Sequence, residues 1–174
     1  MSPKLEKFLF KTYPKLFPNG RNVDPKASLI CFGLENGDGW FWIIHNLCAA
    51  IQSHIDGTSP KPDQVVIDQV KEKFGTLRFY FHGGDDTISG MVSFAEWLSG
   101  VTCEGCGNTD AQTIGRTTKC WYKTCCKGCI PKVLTNYPSV YKWISHADSA
   151  KAYARKKASE ARQKNTTKSK RQCK

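Results

Sequence analysis

Six of the nine cysteines in this chain fall between positions 103 and 129. Cys103 and Cys106 form a C-x2-C pair, nineteen residues follow, and Cys126 and Cys129 form a second pair. This spacing is typical of four thiolates that bind one zinc ion tetrahedrally. Four protein ligands leave no position for water, so the pattern predicts one structural Zn²⁺ without a catalytic role.

The neighbouring cysteines leave alternatives for the ligand set. Cys125 could replace Cys126, and Cys120 could replace either of them. Only Cys126 keeps the x2 spacing with Cys129, so we predict Cys126 as the third ligand. Because an odd number of cysteines does not suit a disulfide framework, the competing interpretations are reduced thiols without a metal or a redox pair.

Catalysis would need a base, a nucleophile or an open metal position, so the histidines are considered next. His82 precedes Gly-Gly-Asp-Asp and could bind a divalent ion together with Asp85 and Asp86. The same segment suits a strand exit and a helix start, which is the interpretation we favour. His45-Asn46 beside C-x2-C pairs suggests a nuclease with a His–Asn–His centre, but no second histidine lies between or just after the pairs. The sequence therefore predicts a non-enzymatic protein.

The net charge of +11 is unevenly distributed along the chain. Residues 1–27 carry +4, residues 28–144 carry −1 and residues 145–174 carry +8. Two basic ends on a nearly neutral central segment favour phosphate-rich or acidic partners. The plainer interpretation is that the basic C-terminal tail only keeps the protein in solution. No run approaches the roughly 18 apolar residues of a membrane helix, and no apolar signal segment is found, so neither membrane insertion nor secretion is predicted.

Two basic segments are candidates for binding a phosphate-rich partner. The loop between the C-x2-C pairs interleaves bases with aromatic rings, which suits phosphate neutralisation and base stacking unless the rings pack over the metal. Its residues are Arg116, Lys119, Trp121, Tyr122 and Lys123. The bases of the C-terminal segment are Lys151, Arg155, Lys156, Lys157 and Arg162. No paired set of base-reading side chains accompanies them, so binding without sequence specificity is expected.

The elements that must position these residues follow from hydrophobic periodicity. Residues 4–13 are predicted to form a short amphipathic helix, and residues 28–34 a buried strand. Asp38 is predicted to cap a longer helix whose apolar stripe runs through residues 40–55 with the 3, 4, 3, 4 rhythm of one buried face.

The middle of the chain shows a hairpin and a second helix. Residues 64–70 and 76–81 alternate in hydrophobicity and are predicted to pair. A helix over residues 88–99 follows, capped by Asp86 or Thr87. The predicted fold class is α+β: a small β-hairpin or sheet packed by two amphipathic helices, followed by a four-cysteine zinc ribbon and a basic C-terminal helix.

These elements divide the chain into five segments. They are a basic N-terminal helix and linker (1–27), the α+β core (28–100), the zinc ribbon (101–135), a basic helix (136–164) and a disordered basic tail (165–174). Ser139 is predicted to cap the basic helix, whose first part is aromatic and whose later part is rich in Ala and Lys.

Three motifs resemble those of a family of small proteins encoded by tailed bacteriophages and prophages: GDGW at 37–40, QVKEKFGTLRFYF at 69–81, and the paired C-x2-C motifs. The family also tends to have an Ala-Glu pair, here Ala95-Glu96. The resemblance covers about residues 28–130. It implies a phage origin, the cytoplasm of an infected bacterial cell and a zinc ribbon. It implies no activity, because the members are usually described as hypothetical.

A balanced globule with a zinc ribbon and basic ends predicts a non-enzymatic phage accessory protein that binds nucleic acid or a host nucleoprotein complex. In the first alternative, the same surfaces inhibit a host complex such as a CRISPR-type defence nuclease or RNA polymerase. In the second alternative, the chain is a metal-dependent nuclease. No membrane partner is predicted.

Overall fold

The computed structural model describes residues 1–119, 122–134 and 141–172. The predicted N-terminal helix is confirmed as α1, Pro3–Thr12, which buries Leu9 against the core. The buried strand predicted for residues 28–34 is wrong over most of its length. Leu29–Phe32 form a 3-10 turn, because the Ser28 side chain accepts a hydrogen bond from the Ile30 N–H and bends the chain. Only Leu34–Glu35 are extended, as β1.

The next helix begins with a 3-10 turn, Asp38–Trp40, and continues as α2, Phe41–Gly57. The predicted buried stripe is confirmed: Trp40, Ile43, Ile44, Leu47, Cys48, Ile51 and Ile55 are all buried. The predicted cap is wrong, because Asp38 Oδ1 instead accepts a hydrogen bond from the Ser2 N–H at 2.6 Å. Asp38 therefore ties the start of α1 to the start of α2.

The predicted hairpin is confirmed as β2, Val66–Lys73, and β3, Thr76–His82. The strands pair antiparallel, with Val70 opposite Phe79 and Lys71 opposite Arg78, and β1 adds to β2 in parallel. Since side chains alternate along a strand, Val70 and Phe79 face the core while Lys71 and Arg78 face outward.

The second predicted helix is confirmed as α3, Asp86–Ser99. Its cap is Asp85, one residue earlier than predicted, because the Asp85 side chain accepts the hydrogen bond from the Ile88 N–H at 3.0 Å. Ile88, Val92 and Ala95 are buried against α2 and the sheet. The hairpin, α2 and α3 thus enclose the main hydrophobic core.

A second, smaller sheet carries the cysteines. It consists of β4, Ile114–Lys119, β5, Thr124–Cys126, and β6, Tyr141–Ser145, in the order β5-β4-β6, and α4, Ile130–Val133, follows β5. Its core is separate from the main core and comprises Cys103, Ile114, Cys125, Cys129, Ile130 and Leu134. The predicted α+β class is confirmed.

The basic helix predicted for residues 136–164 is wrong at both ends. Residues 141–145 form β6 instead of a first helical turn, because Trp143 packs on the ribbon core and the segment pairs with β4. The predicted cap Ser139 lies outside the described residues. The helix is α5, His146–Gln172. It continues past the predicted end at residue 164 into the segment 165–172.

Within the described ranges, no helix combines the length and the apolar composition that crossing a bilayer requires.

Candidate metal centre and the surfaces around it

The four predicted ligands lie together. The sulfurs of Cys103, Cys106, Cys126 and Cys129 all lie within 4.8 Å of one another, and Cys106 Sγ is 3.8 Å from Cys126 Sγ. A tetrahedral site with metal–sulfur distances of about 2.3 Å places its sulfurs about 3.8 Å apart. The predicted four-cysteine set therefore forms a group that fits one metal ion.

The backbone around Cys103 is arranged for a thiolate. The Cys126 N–H donates to Cys103 Sγ at 3.2 Å, and the Gly107 N–H donates to the Cys103 carbonyl oxygen at 2.8 Å. Gly107 has a φ of +77°, which closes the first knuckle and favours glycine. Burial opposes ionisation of Cys103, but hydrogen bonds from the backbone of Cys126 and Cys106 outweigh it and lower the pKa of this thiol.

Ionisation of Cys126 and Cys129 is opposed by their surroundings. Burial, together with the nearby sulfurs of Cys103 and Cys106, raises the pKa of Cys126 to about 11 and that of Cys129 to about 12. A divalent cation at the centre would offset this repulsion, since thiolates and not thiols are metal ligands.

Cys125 is excluded from the metal group by strand geometry. Adjacent residues of β5 point to opposite faces, so Cys126 faces the other three sulfurs while Cys125 faces the ribbon core. Cys125 is fully buried, and burial raises its pKa to about 12. The structure thus places Cys126, and not Cys125, in the four-sulfur group, whereas Cys120 lies outside the described residues.

The Gly-Asp-Gly-Trp segment holds the first knuckle against the main core. The Gly39 N–H donates to the Glu104 carbonyl oxygen at 2.8 Å, and Trp40 Nε1 donates to the Thr102 carbonyl oxygen at 2.9 Å. Any side chain at Gly39 would collide with the Cys103 carbonyl oxygen. Sequence reasoning missed this role, although two glycines at the start of a strong helix were a signal that something packs closely there.

Lys123 is not a binding residue, which corrects the prediction for the ribbon loop. Its ammonium group lies 2.7 Å from Glu72 and 2.9 Å from Glu104, and its side chain is only 11% exposed. Burial alone would lower the pKa of Lys123, but the two carboxylates outweigh it and raise that pKa. Burial raises the pKa of Glu104 despite the neighbouring ammonium group. The cation therefore joins the ribbon to the hairpin and is not available to a partner.

Replacing this buried cation has a large expected effect on stability. Lys123→Met leaves the carboxylates of Glu72 and Glu104 buried without a counter-ion, so we expect the free energy of unfolding to fall by about 3–5 kcal/mol. Urea denaturation measures it, with Lys127→Met at an exposed position as the matched control. Adding Glu72→Gln and Glu104→Gln should recover most of the loss. A Lys123→Met protein as stable as the wild type would contradict the ion-pair assignment.

The other predicted loop residues have different surroundings. Arg116 is exposed, donates to the Phe74 carbonyl oxygen and lies over the Tyr122 ring at 5.4 Å from its centroid. Lys119 is the last residue of β4, and Trp121 lies outside the described residues. Arg116 and Tyr122 thus remain available to a partner on the ribbon surface.

The predicted basic face lies on α5. Each residue from Asp148 to Ser159 is exposed, which includes Lys151, Arg155, Lys156 and Lys157. Arg162 lies further along the same helix. The first turn is fixed, because Ser145 Oγ accepts a hydrogen bond from the Asp148 N–H at 3.0 Å. We call α5 the arm. It begins directly after β6 of the ribbon sheet (β4, β5 and β6), and its residues 148–159 are exposed and rich in Lys and Arg.

The histidines and aspartates of the His-Gly-Gly-Asp-Asp segment do not converge. His82 Nδ1 lies 3.0 Å from Asp68, and Asp85 lies 2.8 Å from His54 Nε2 while it caps α3. His45 Nδ1 lies 2.9 Å from the Tyr13 hydroxyl. Among the described residues, the four cysteines are the one group of three or more His, Cys, Asp or Glu side chains that could hold a metal ion.

Comparison of the chain with protein-family models, curated proteins and solved structures finds no match. Its function is therefore inferred from its own residues and their geometry.

Proposed function

We propose that the chain is a zinc-stabilised, non-enzymatic phage accessory protein that binds nucleic acid, free or within a host nucleoprotein complex, through α5 and the ribbon surface. The phage setting comes from the motif resemblance. The observation that carries the binding proposal is the arm: from Asp148 to Ser159 every residue of α5 is exposed, and four of them are Lys or Arg.

A helix with this composition has little packing of its own to stabilise it, and a bound partner would supply that stabilisation. Helical stability in proteins comes mostly from packing of an apolar face, and the exposed part of α5 has only Ala and Tyr153 as apolar residues. Its charges suit a backbone of phosphates, which binds Lys and Arg side chains and releases counterions. Because β6 fixes the first turn, the ribbon and the arm would contact one nucleic acid together.

Zinc is the metal that best fits the cysteine group. Four thiolates in two C-x2-C knuckles are a tetrahedral sulfur set, which suits zinc among the common metals of proteins. Cys103, Cys106, Cys126 and Cys129 would hold it, and the ion would stabilise a segment whose own core has six buried residues in the part that the structure describes.

Purification from cells with and without nuclease tests the binding proposal. Tagged protein isolated at low salt should carry nucleic acid, seen as ultraviolet absorbance and on a gel, and nuclease should release it. Host proteins that leave with the nucleic acid would indicate a nucleoprotein target. Protein that carries no nucleic acid, and whose bound partners resist nuclease, would contradict the proposal.

A second candidate function is protein binding, and a groove between α2 and α3 favours it. The groove has a volume of about 750 Å³ and is bounded by Leu5, Phe41, Trp42, Met91, Phe94 and Leu98. Trp42 and Phe94 are 65% and 62% exposed, which is unusual for large apolar side chains that lie together. The groove lining contains Asp38 and no Lys or Arg, whereas Asp56 of α2 and Glu96 of α3 are already paired with Lys15, Lys61 and Arg78. The occupant we propose is a partner's amphipathic helix with apolar anchors and basic flanks.

Two model peptides test the groove. An amphipathic helix built of Leu and Lys should bind more tightly than its Leu–Glu counterpart, because the groove lining contains Asp38 and no Lys or Arg. Trp42→Ala should weaken binding of the Leu–Lys peptide by about 2 kcal/mol, as for a central aromatic anchor. Phe32→Ala, at an exposed ring outside the groove lining, is the control. Equal binding of both peptides, or unchanged affinity in Trp42→Ala, would exclude the groove as the docking site.

A further inference from the structure

An exposed phenylalanine occupies an unfavourable position at the tip of the β2–β3 hairpin. Phe74 and Gly75 form its two-residue turn, and both have positive φ, +54° and +78°. Such a turn strongly prefers Asn-Gly, because Asn tolerates the left-handed region better than a bulky residue. Phe74 is nevertheless 61% exposed. Since neither turn geometry nor core packing explains this residue, its ring points to a binding role.

Phe74 is one of three exposed rings on the hairpin and the ribbon that each have a cation over them. Lys73 Nζ lies 5.6 Å from the centroid of the Phe74 ring, and Lys71 Nζ lies 5.5 Å from that of Tyr80. On the ribbon, Arg116 lies over Tyr122. We define the hairpin strip as these six residues: Lys71, Lys73, Phe74, Tyr80, Arg116 and Tyr122.

Pairwise contacts link the members of the strip from the sheet to the ribbon. Lys71 and Lys73 are two residues apart on the outward face of β2, which places them about 7 Å apart along the strand. Arg116 donates a hydrogen bond to the Phe74 carbonyl oxygen, so the ribbon cation lies directly beside the hairpin turn. Lys71, Lys73 and Arg116 form no ion pair with any carboxylate of the described residues. Their charges are therefore available to an external anion.

Alternating rings and cations of this kind match one class of ligand. In a single-stranded nucleic acid the bases are free to stack on aromatic side chains while the phosphates lie beside Lys and Arg. In a duplex the bases are already stacked on each other and present no free face. We propose that the hairpin strip binds single-stranded nucleic acid, with bases on Phe74, Tyr80 and Tyr122 and phosphates near Lys71, Lys73 and Arg116. This inference rests on the proposed nucleic acid binding and names its substrate class.

Fluorescence anisotropy with labelled oligo(dT) of about 20 nucleotides, and with a duplex of the same length, tests the inference. Wild-type protein should bind the single strand more tightly than the duplex. Phe74→Asn should reduce affinity for oligo(dT) by about ten-fold and leave duplex affinity unchanged, because it removes one stacking ring. The same substitution supplies a favoured turn residue, so thermal unfolding should occur at the wild-type temperature or higher.

Tyr80→Thr on the strip and Trp97→Gln on α3 complete the set. Tyr80→Thr keeps a residue that favours strands and should lower single-strand affinity, whereas Trp97→Gln removes an exposed ring away from the strip and should not. If the wild type binds both oligonucleotides alike, and Phe74→Asn and Tyr80→Thr change nothing, the strip is wrong while nucleic acid binding stands. If the wild type binds neither oligonucleotide, the proposed function is contradicted and the strip with it.

Discussion

Cys126→Ala is expected to abolish metal binding, whereas Cys125→Ala is expected to leave about one zinc per chain. The two residues are neighbours in β5, but Cys126 belongs to the four-sulfur group and Cys125 faces the ribbon core. Apparent binding free energies of structural zinc sites are about 10–16 kcal/mol, so losing one of four ligands removes much of the energy that holds the ribbon together. Mass spectrometry of metal content, together with limited proteolysis, measures both consequences.

The pair of variants controls for the chemical change itself, since each loses one thiol from the same strand. In Cys126→Ala, protease should cut within residues 101–134 while the hairpin, α2 and α3 persist, because the two hydrophobic cores are separate. Metal retained at full stoichiometry in Cys126→Ala, or lost in Cys125→Ala, would refute the ligand assignment. A wild-type protein purified under reducing conditions without zinc would refute the metal centre altogether.

Neutralising the arm is expected to produce the largest loss of nucleic acid affinity. Changing Lys151, Arg155, Lys156 and Lys157 to Gln removes four exposed positive charges from α5. If each contacts one phosphate, the slope of log K against log salt should become shallower by about 4 × 0.9, and affinity near 0.1 M salt should fall by on the order of 100-fold or more. Gln forms helices well, so the circular dichroism spectrum should be retained.

A variant of the N-terminal segment is the matched control for the arm. Changing Lys4, Lys7, Lys11 and Lys15 to Gln lowers the net charge by the same four units, and all four side chains are exposed. We expect only a small loss of nucleic acid affinity in this N-terminal variant, because its four lysines lie on or next to α1 and not on α5. Equal losses in the two variants would mean that only total charge matters and that α5 has no particular role.

The elements that follow a strict hydrophobic period were predictable from sequence. The stripe of α2 and the alternation of β2 and β3 reflect one large core, and both appear where expected. The four-cysteine group was also predictable, because each C-x2-C pair brings two sulfurs together locally. In each case the determining interactions are local or repeat regularly.

Interactions between distant segments were not predictable. Residues 141–145 carry aromatic residues that suit a helix start or a strand, and pairing with β4 decides between them. Lys123 resembles a surface lysine of a basic loop until Glu72, 51 positions earlier in the sequence, approaches it from the hairpin turn. Asp38 accepts from Ser2 instead of capping its own helix for the same reason. The proposed hairpin strip was not apparent from the sequence, because its residues come from β2, β3 and the ribbon.

The positions of the Lys and Arg side chains indicate where the proposed nucleic acid partner would bind. Most of the positive charge in residues 145–174 lies on α5, which begins at the ribbon sheet, and Arg116 lies on the same sheet. The hairpin strip continues this positive surface onto the main core through the Arg116–Phe74 hydrogen bond. The α2–α3 groove, whose helices lack Lys and Arg, is a distinct surface. One protein would then have a nucleic acid surface and a protein surface of different charge.

Titration of wild-type nucleic acid binding against salt tests the central claim most directly. With oligo(dT) and a duplex as probes, log K should fall linearly with log salt, with a slope of about −3 or steeper from the arm alone. Removing residues after Ser145 should flatten that slope markedly and leave the zinc content unchanged. Binding that is absent at low salt, or that does not depend on salt, would contradict the account.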